Sequence, residues 1–440
     1  MYSVGLYTLG CKVSLYETEA IGESFERSGY RIAPFSEVCD VYVINTCTVT
    51  AESDAKSRKY IRRAIRTNPD AVVIVIGCYS QRSPEQVAAI EGVSAVLGTQ
   101  DKMRCVEIAE EMMAKRNAEM QSAKLPSVYV SSLEGAAFEP MCVEKAPRTR
   151  AYVKIEDGCE CRCTYCAISG ARGPVRSKRP EQVVAEVEGL YAGGTQEIVL
   201  TGIETGSYGA DFDEKFDLAD LLCLLDQRQS CKRIRLGSMA PELLTESFVR
   251  RVCGLKIMVP HFHISMQSGS DNVLRGMKRR YNRQMALKNI AIIRECMPDV
   301  MLTADLMVGF PGETDADFAD TMDFVRQARL LDAHVFAYSK REGTPAAEYH
   351  DQVAEEIKKQ RSATLIKECC AVRDEILEAV VREGKPLSCI LESRRGGVYT
   401  AHSDSYIEVR VSGEQSLSGQ LVSVKPLYAE NGIIQGEIIT

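Results

Sequence analysis

Seventeen cysteines stand in a chain of 440 residues, and two sets of three carry spacings that chemistry can use. Between Asp157 and Cys166 the chain reads DGCECRCTYC, in which Cys159, Cys163 and Cys166 form C-x3-C-x2-C. Three closely spaced thiolates suit three corners of a 4Fe-4S cluster and leave one iron open to a further ligand. Zinc is the alternative, because Cys161 makes four cysteines in eight residues. Zinc knuckles usually join one C-x2-C pair to a second, distant pair, and no tidy second pair stands out.

In proteins with the C-x3-C-x2-C spacing the open iron takes S-adenosylmethionine. One electron then cleaves the sulfonium to a 5′-deoxyadenosyl radical, the cofactor carrying the difficult chemistry and the protein placing it. The second set is dispersed. Cys11 follows a β-branched run from Val4 to Leu9, Cys47 follows Val41 to Asn45, and Cys78 follows Val72 to Ile76. Functional groups gather at the carboxyl ends of parallel strands, so the three thiols are placed to converge; three core thiols are the alternative reading.

The elements needed to position these cysteines follow from periodicity. The first runs alternate with helical patterns at Glu17 to Ser28, Ala51 to Thr67 and from Ser83, a βα repeat that predicts a small parallel sheet. Asp101 to Lys115 reads as a helix, and the polar stretch to Lys145 as a linker. Strands are then expected at Tyr152 to Ile155, Glu197 to Leu200, Ile234 to Leu236, Phe262 to Met266, Leu302 to Val308 and His334 to Tyr338, with helices between them. Six βα units predict an open, partial (β/α) barrel, eight being needed for closure. A charged helix runs from Val353 to about Val381, and the segment from Leu387 shows five short strands, the pattern of a small OB-like β-barrel. The fold class is therefore α/β, divided as 1–115, a linker 116–145, a barrel 146–375 and a β-domain 376–440.

Composition narrows the partners. The net charge is −7, so nucleic-acid binding must rest on local basic runs rather than on the whole surface. Those runs are Arg148 to Arg150, Arg172 to Arg179, Lys278 to Arg280, and Arg394 with Arg395. The terminal domain is not basic overall, with 6 Lys and Arg against 8 Asp and Glu. No apolar run is long enough to span a membrane. The absence of an export signal and the many thiols give a cytoplasmic expectation.

The chain resembles the radical SAM tRNA methylthiotransferases along nearly its whole length. The resemblance is carried by the N-terminal three-cysteine domain, Gly158-Cys159 through Cys166, Ala171-Arg172-Gly173-Pro174, and the terminal β-domain, called TRAM, in that order. Thr8 to Val13, His261 to Ser270 and Phe336 to Ala346 resemble the branch acting on threonylcarbamoyladenosine. Ser14-Leu15 departs from the Asn and Gln usual in the family. The resemblance implies that Cys11, Cys47 and Cys78 hold an auxiliary 4Fe-4S cluster, and that Cys159, Cys163 and Cys166 hold the one that cleaves S-adenosylmethionine. It implies two stages: methylation of a sulfur at the auxiliary cluster, then radical removal of hydrogen from C2 of adenine and transfer of the methylthio group. Partners would be tRNA, a reductant and a sulfur donor. Relatives acting on isopentenyladenosine or on a ribosomal-protein aspartate are the alternatives.

Weaker candidates complete the reading. Tyr165 is a candidate to stack on the adenine of S-adenosylmethionine, and loop packing is the alternative. Gly193, Gly194 and Glu197 are candidates for its amino group, with a plain helix cap and turn as the alternative. Gly309 is a candidate to border the adenosine. His261 and His263 read as satisfied core histidines. The threonylcarbamoyl group carries a carboxylate, so its pocket calls for a cation, with Arg172, Arg176 and Lys340 as candidates by position.

Overall fold

The computed structural model describes all residues except 119–125, 147–148, 414–416 and 440. Arg148, one of the expected basic residues, lies outside the described residues. By internal contacts the chain falls into two units. One comprises Met1–Glu144, Tyr152–Lys178 and Ser339–Ala347; the other comprises Lys145–Ala151, Arg179–Tyr338 and Glu348–Thr440.

The first unit is built on a six-stranded sheet. In chain order its elements are β1 (Ser3–Thr8), α1 (Lys12–Arg27), β2 (Arg31–Ala33), β3 (Val41–Thr46), α2 (Ala51–Thr67), β4 (Val72–Gly77), α3 (Cys78–Arg82), α4 (Pro84–Ala88), β5 (Ala95–Leu97), α5 (Cys105–Ala118) and β6 (Ser127–Tyr129). The strand order is β2-β1-β3-β4-β5-β6, and the registers are parallel. All six residues of β3 and of β4 are buried, as a sheet covered on both faces requires. Val41, Val43, Val72, Ile74 and Ile76 pack to one side with Phe25 and Ile108. Tyr42, Ile44, Val73 and Val75 pack to the other with Ile61 and Ala64. The expected linker is corrected in part: its residues 127–129 supply β6, the outer strand beside β5.

The expected barrel strands all form. The remaining elements are β7 (Arg150–Lys154), β8 (Glu156–Asp157), α6 (Ile168–Arg172), β9 (Arg176–Ser177), α7 (Pro180–Ala192), β10 (Glu197–Thr201), α8 (Leu218–Arg228), β11 (Ile234–Leu236), β12 (Ser238–Met239), α9 (Glu246–Val252), β13 (His261–Gln267), α10 (Asp271–Gly276), α11 (Arg283–Cys296), β14 (Met301–Val308), α12 (Asp315–Ala328) and β15 (Asp332–Ala337). They give one sheet ordered β11-β10-β7 and another ordered β12-β13-β14-β15. The order follows the chain, the arrangement of an open (β/α) barrel.

Helix α13 (Glu355–Glu383) runs unbroken through position 376. β16 (Leu387–Arg395), β17 (Val398–Ser403), β18 (Glu408–Ser412), β19 (Leu421–Glu430) and β20 (Ile433–Ile439) follow it. They close into a barrel ordered β16-β17-β18-β20-β19, as the five-strand pattern predicted. No helix of the described residues is long and apolar enough to cross a membrane.

Candidate active site

The three dispersed cysteines stand at the carboxyl edge of neighbouring strands. Cys11 caps the start of α1 just beyond β1, Cys47 follows β3, and Cys78 opens α3 directly after β4. The Cys11 turn lies against Cys47: a Cβ on Gly10 would come within 3.4 Å of the Cys47 sulfur. Gly77 has φ +101°, and a Cβ there would lie 2.5 Å from the Asn45 side chain and 2.6 Å from the Thr46 carbonyl oxygen. Only glycine allows that turn into Cys78. Cys11 is exposed, whereas Cys47 and Cys78 are buried.

Hydrogen-bond donors point at these sulfurs. The Val49 amide donates to the Cys47 sulfur at 3.5 Å, and Arg172 Nε donates to Cys78 Sγ at 3.1 Å. Burial pushes the free Cys78 thiol up to about 11, while the Arg172 guanidinium pulls it down. The departure at Ser14 is also located: its hydroxyl lies 3.8 Å from the Cys11 sulfur.

The second set sits on the loop between β8 and α6. Gly158 has φ +97°, and a Cβ there would come within 1.9 Å of the Pro174 carbonyl oxygen, so Cys159 leaves the strand through a turn open only to glycine. The Cys159 amide donates to the Gly173 carbonyl oxygen at 3.0 Å, and the Ile168 amide donates to Cys166 Sγ at 3.4 Å. None of the six cysteines forms a disulfide, and both sets lie in one compact unit. Three thiols per set, with N–H groups aimed at sulfur, fit the donor requirements of iron–sulfur clusters.

A buried charge network joins the two cysteine-bearing regions. Arg172 Nη1 lies 2.5 Å from Glu17 Oε1 and 3.1 Å from Asp157 Oδ2. Lys154 Nζ reaches the same two carboxylates at 2.9 and 2.6 Å, and Lys102 Nζ reaches Glu17 at 2.7 Å. Burial raises the Glu17 and Asp157 pKa values, but the cations overcome it and hold both well below the usual carboxylate range.

The structure corrects several expectations about substrate contacts. Arg172 is fully buried, and its donors are committed to Cys78, Glu17 and Asp157, so it does not present a cation to a substrate carboxylate. Arg176 is also buried, donating to the carbonyl oxygens of Arg172 and Pro174 at 2.9 and 3.0 Å. Lys178 is buried too and donates to the Met141 carbonyl oxygen at 2.7 Å. Of the basic residues in the Arg172 to Arg179 run, only Arg179 is exposed, as are Lys278, Arg280, Arg394 and Arg395. Lys340 is exposed. It lies beside Arg341, whose Nη2 donates to Thr48 and Asp54 at 2.6 and 2.7 Å.

Gly193 is the C-cap of α7, and it and Gly194 are exposed ahead of β10. Glu197 opens β10 and accepts from Arg235 at 2.8 and 3.0 Å. All three therefore stand at the amino end of the strand, opposite the edge where parallel sheets collect ligands. At the carboxyl end sequence reasoning passed over Glu204, which is buried and accepts from the Ala240 amide at 3.1 Å. Its sequence signal is Gly202, directly after the last residue of β10, Thr201. Gly309 does follow β14, with φ +72° and its amide donating to Glu313 at 2.9 Å. Tyr165 is partly buried on the cysteine loop.

The open (β/α) sheets and the cysteine loop after β8 define a radical SAM enzyme. The Radical SAM superfamily model matches residues 153–325, and that of the Uncharacterized protein family UPF0004 matches residues 3–98. The fold is similar to the radical S-adenosylmethionine methyltransferase TsrM from Kitasatospora setae, at a TM-score of 0.57 and 17% identity, covering 79% of this chain and 77% of that one. The sequence is 39% identical to the threonylcarbamoyladenosine tRNA methylthiotransferase MtaB of Bacillus subtilis, over 100% of this chain and 97% of that protein. It is 32% identical to the tRNA-2-methylthio-N(6)-dimethylallyladenosine synthase of Carboxydothermus hydrogenoformans, over 96% and 95%. The chain belongs to the radical SAM tRNA methylthiotransferase family. Membership implies a 4Fe-4S cluster and S-adenosylmethionine, in place of a zinc site.

Proposed function

We propose that this enzyme adds a methylthio group to C2 of N6-threonylcarbamoyladenosine 37 in tRNA, using two 4Fe-4S clusters. The observation that carries the reading is the gathering of two three-cysteine sets in one compact unit. The substrate assignment is supported by the Bacillus subtilis relative, whose name specifies threonylcarbamoyladenosine, matching at 39% identity along the full chain. Methylthiolation of isopentenyladenosine is the second reading, favoured by the dimethylallyladenosine synthase at 32%.

Cys159, Cys163 and Cys166 would hold the cluster that binds S-adenosylmethionine, and Cys11, Cys47 and Cys78 the auxiliary one. When bound, the first cluster and S-adenosylmethionine supply one-electron cleavage to a carbon radical, and the second supplies sulfur. The chain's own part is positional. Gly77 and Gly158 shape the turns that present Cys78 and Cys159. The Ala346 amide donates to the Thr164 carbonyl oxygen at 2.9 Å, fastening the segment that carries Lys340 to the cysteine loop. Lys340 is the exposed cation we assign to the substrate carboxylate. Tyr165 is assigned to the adenine of S-adenosylmethionine and Gly309 to its adenosine, each from its own place on the chain. The functional partition is an N-terminal cysteine domain that takes in β6 from the 116–145 stretch, a radical SAM core from 146 and a TRAM domain last, the helix α13 running across the 375/376 boundary. A cellular reductant and a sulfur donor complete the cycle, in the cytoplasm. Hydrogen-atom abstraction needs no general base, so none is assigned.

The test uses reconstituted enzyme and tRNAs bearing each modification, digested to nucleosides and weighed. The methylthio mass should appear on threonylcarbamoyladenosine. If it appears only on isopentenyladenosine, the substrate assignment falls and the methylthiotransferase activity stands.

A further inference from the structure

Three neighbouring strands of the second unit bring two imidazoles and a carboxylate together. His263 of β13 pairs across from Thr303 of β14, and Asp305 of β14 pairs across from His334 of β15. Side chains alternate along a strand, so Thr303 and Asp305 project from one face while the buried Leu302, Ala304 and Leu306 project from the other. The three ligand atoms lie within 4.8 Å of one another. His263 Nε2 is 3.1 Å from Asp305 Oδ2, and His334 Nδ1 is 3.4 Å from Asp305 Oδ1.

We propose that His263, Asp305 and His334 form a site for one divalent transition-metal ion, independent of the cysteine sets. Nitrogen and oxygen donors at about 2.0–2.1 Å from a tetrahedral zinc stand about 3.3 Å apart, close to the separation of each imidazole from its nearer Asp305 oxygen, Oδ2 for His263 and Oδ1 for His334. The donor set, two imidazoles and one carboxylate, suits zinc, iron(II) or manganese(II). The surroundings orient the ligands. Thr303 Oγ1 lies 2.8 Å from His263 Nδ1 and 3.0 Å from His261 Nε2. It fixes the His263 ring so that Nε2 faces Asp305, as outer hydrogen bonds do at metal centres. His261 is itself stacked on Tyr406 with ring centroids 4.7 Å apart. The site is open on one side: the His334 side chain is 81% exposed, against 15% for His263 and 24% for Asp305. Three protein ligands with one open side leave a position for water or an oxygen donor.

Full-length enzyme with its iron–sulfur clusters assembled keeps the six cluster cysteines occupied. It is incubated with zinc sulfate, desalted, and assayed for zinc and iron by mass spectrometry. Wild type should retain one zinc per chain. His334→Ala and Asp305→Asn should each lower zinc at least five-fold with the iron content unchanged. The exposed position of His334 makes its variant the gentler one for folding, and an unaltered thermal transition of His334→Ala completes that control. No zinc in wild type, or undiminished zinc in both variants, overturns the proposal.

Discussion

Arg172 places its Nε 3.1 Å from the sulfur of Cys78, 94 positions earlier in the chain. Arg172 ends α6, six residues beyond Cys166, and Cys78 opens α3. The same guanidinium binds Glu17 on α1 and Asp157, two residues before Cys159. One buried side chain thus braces the carboxyl edge of the N-terminal sheet and the start of the cysteine loop. An arginine suits this role because its planar fork donates in several directions and stays charged when buried.

Removing that brace should be costly. Arg172→Ala leaves Glu17 and Asp157 buried with fewer cations between them. Breaking one partner of a buried ion pair costs about 3–5 kcal/mol. The expected result is a loss of this size in urea denaturation, accompanied by low cluster occupancy after reconstitution. A variant as stable as wild type would contradict the reading of the network.

Much of this arrangement was legible beforehand, and the exceptions share a cause. The β-branched runs of β3 and β4, the largely apolar run of β14 and the cysteine spacings are local signals, and each element formed where they stand. The long-range ion pairs are not local. Arg172 and Arg176 read as surface cations because nothing near them in sequence reveals Glu17, 155 residues away from Arg172. For the same reason α1 begins at Lys12 rather than Glu17: its buried face carries Ser14 and Glu17, which no apolar periodicity marks. The strands β2, β5 and β6 have three residues each, too short for alternation to register. Gly193 and Gly194 stand ahead of β10, at its amino end, which residue type alone does not reveal.

Iron content tests the assignment of the two cysteine sets. Two 4Fe-4S clusters require about eight irons per chain after anaerobic reconstitution. Replacing Cys159, Cys163 and Cys166 together by Ala should halve that figure, and so should replacing Cys11, Cys47 and Cys78. The second triple variant should still release 5′-deoxyadenosine from S-adenosylmethionine but form no methylthio product. Full iron in either variant would refute the corresponding ligand set.

Asp317 gives an expectation for pH. Its carboxylate accepts from Ser270 at 2.6 Å and closes a capping box with Thr314 at the start of α12. Burial opposes ionisation, but these hydrogen bonds outweigh it and hold the pKa below the ordinary aspartate value. A depressed folded-state pKa stabilises above the unfolded value, and that contribution is lost as pH falls through the folded one. Stability from this group should therefore be complete at neutral pH and decline only below about pH 4. Asp317→Ala should cost about 1–3 kcal/mol at pH 7, the hydrogen-bond partners on Ser270 and Thr314 being left unpaired, and flatten the acid limb of a urea-midpoint profile. Parallel profiles for variant and wild type would count against it.

Lys340 separates two kinds of tRNA contact. It is exposed, while its neighbour Arg341 is anchored on Thr48 and Asp54, so the backbone beneath it is fixed and its ammonium is presented from a rigid base. Bound to the substrate carboxylate, it makes a charge-assisted hydrogen bond worth about 1.5–3 kcal/mol. Lys340→Ala should then raise KM for threonylcarbamoyl tRNA roughly 10- to 100-fold, the same energy expressed as a ratio. Binding of the same tRNA lacking the modification should hardly change, and Lys340→Arg should recover much of the loss. Bound to a phosphate instead, Lys340 would contribute equally to both tRNAs, and its removal would lower the salt dependence of both. Binding isotherms for the two tRNAs at two salt concentrations distinguish the cases, and equal weakening of both would remove Lys340 from the carboxylate pocket.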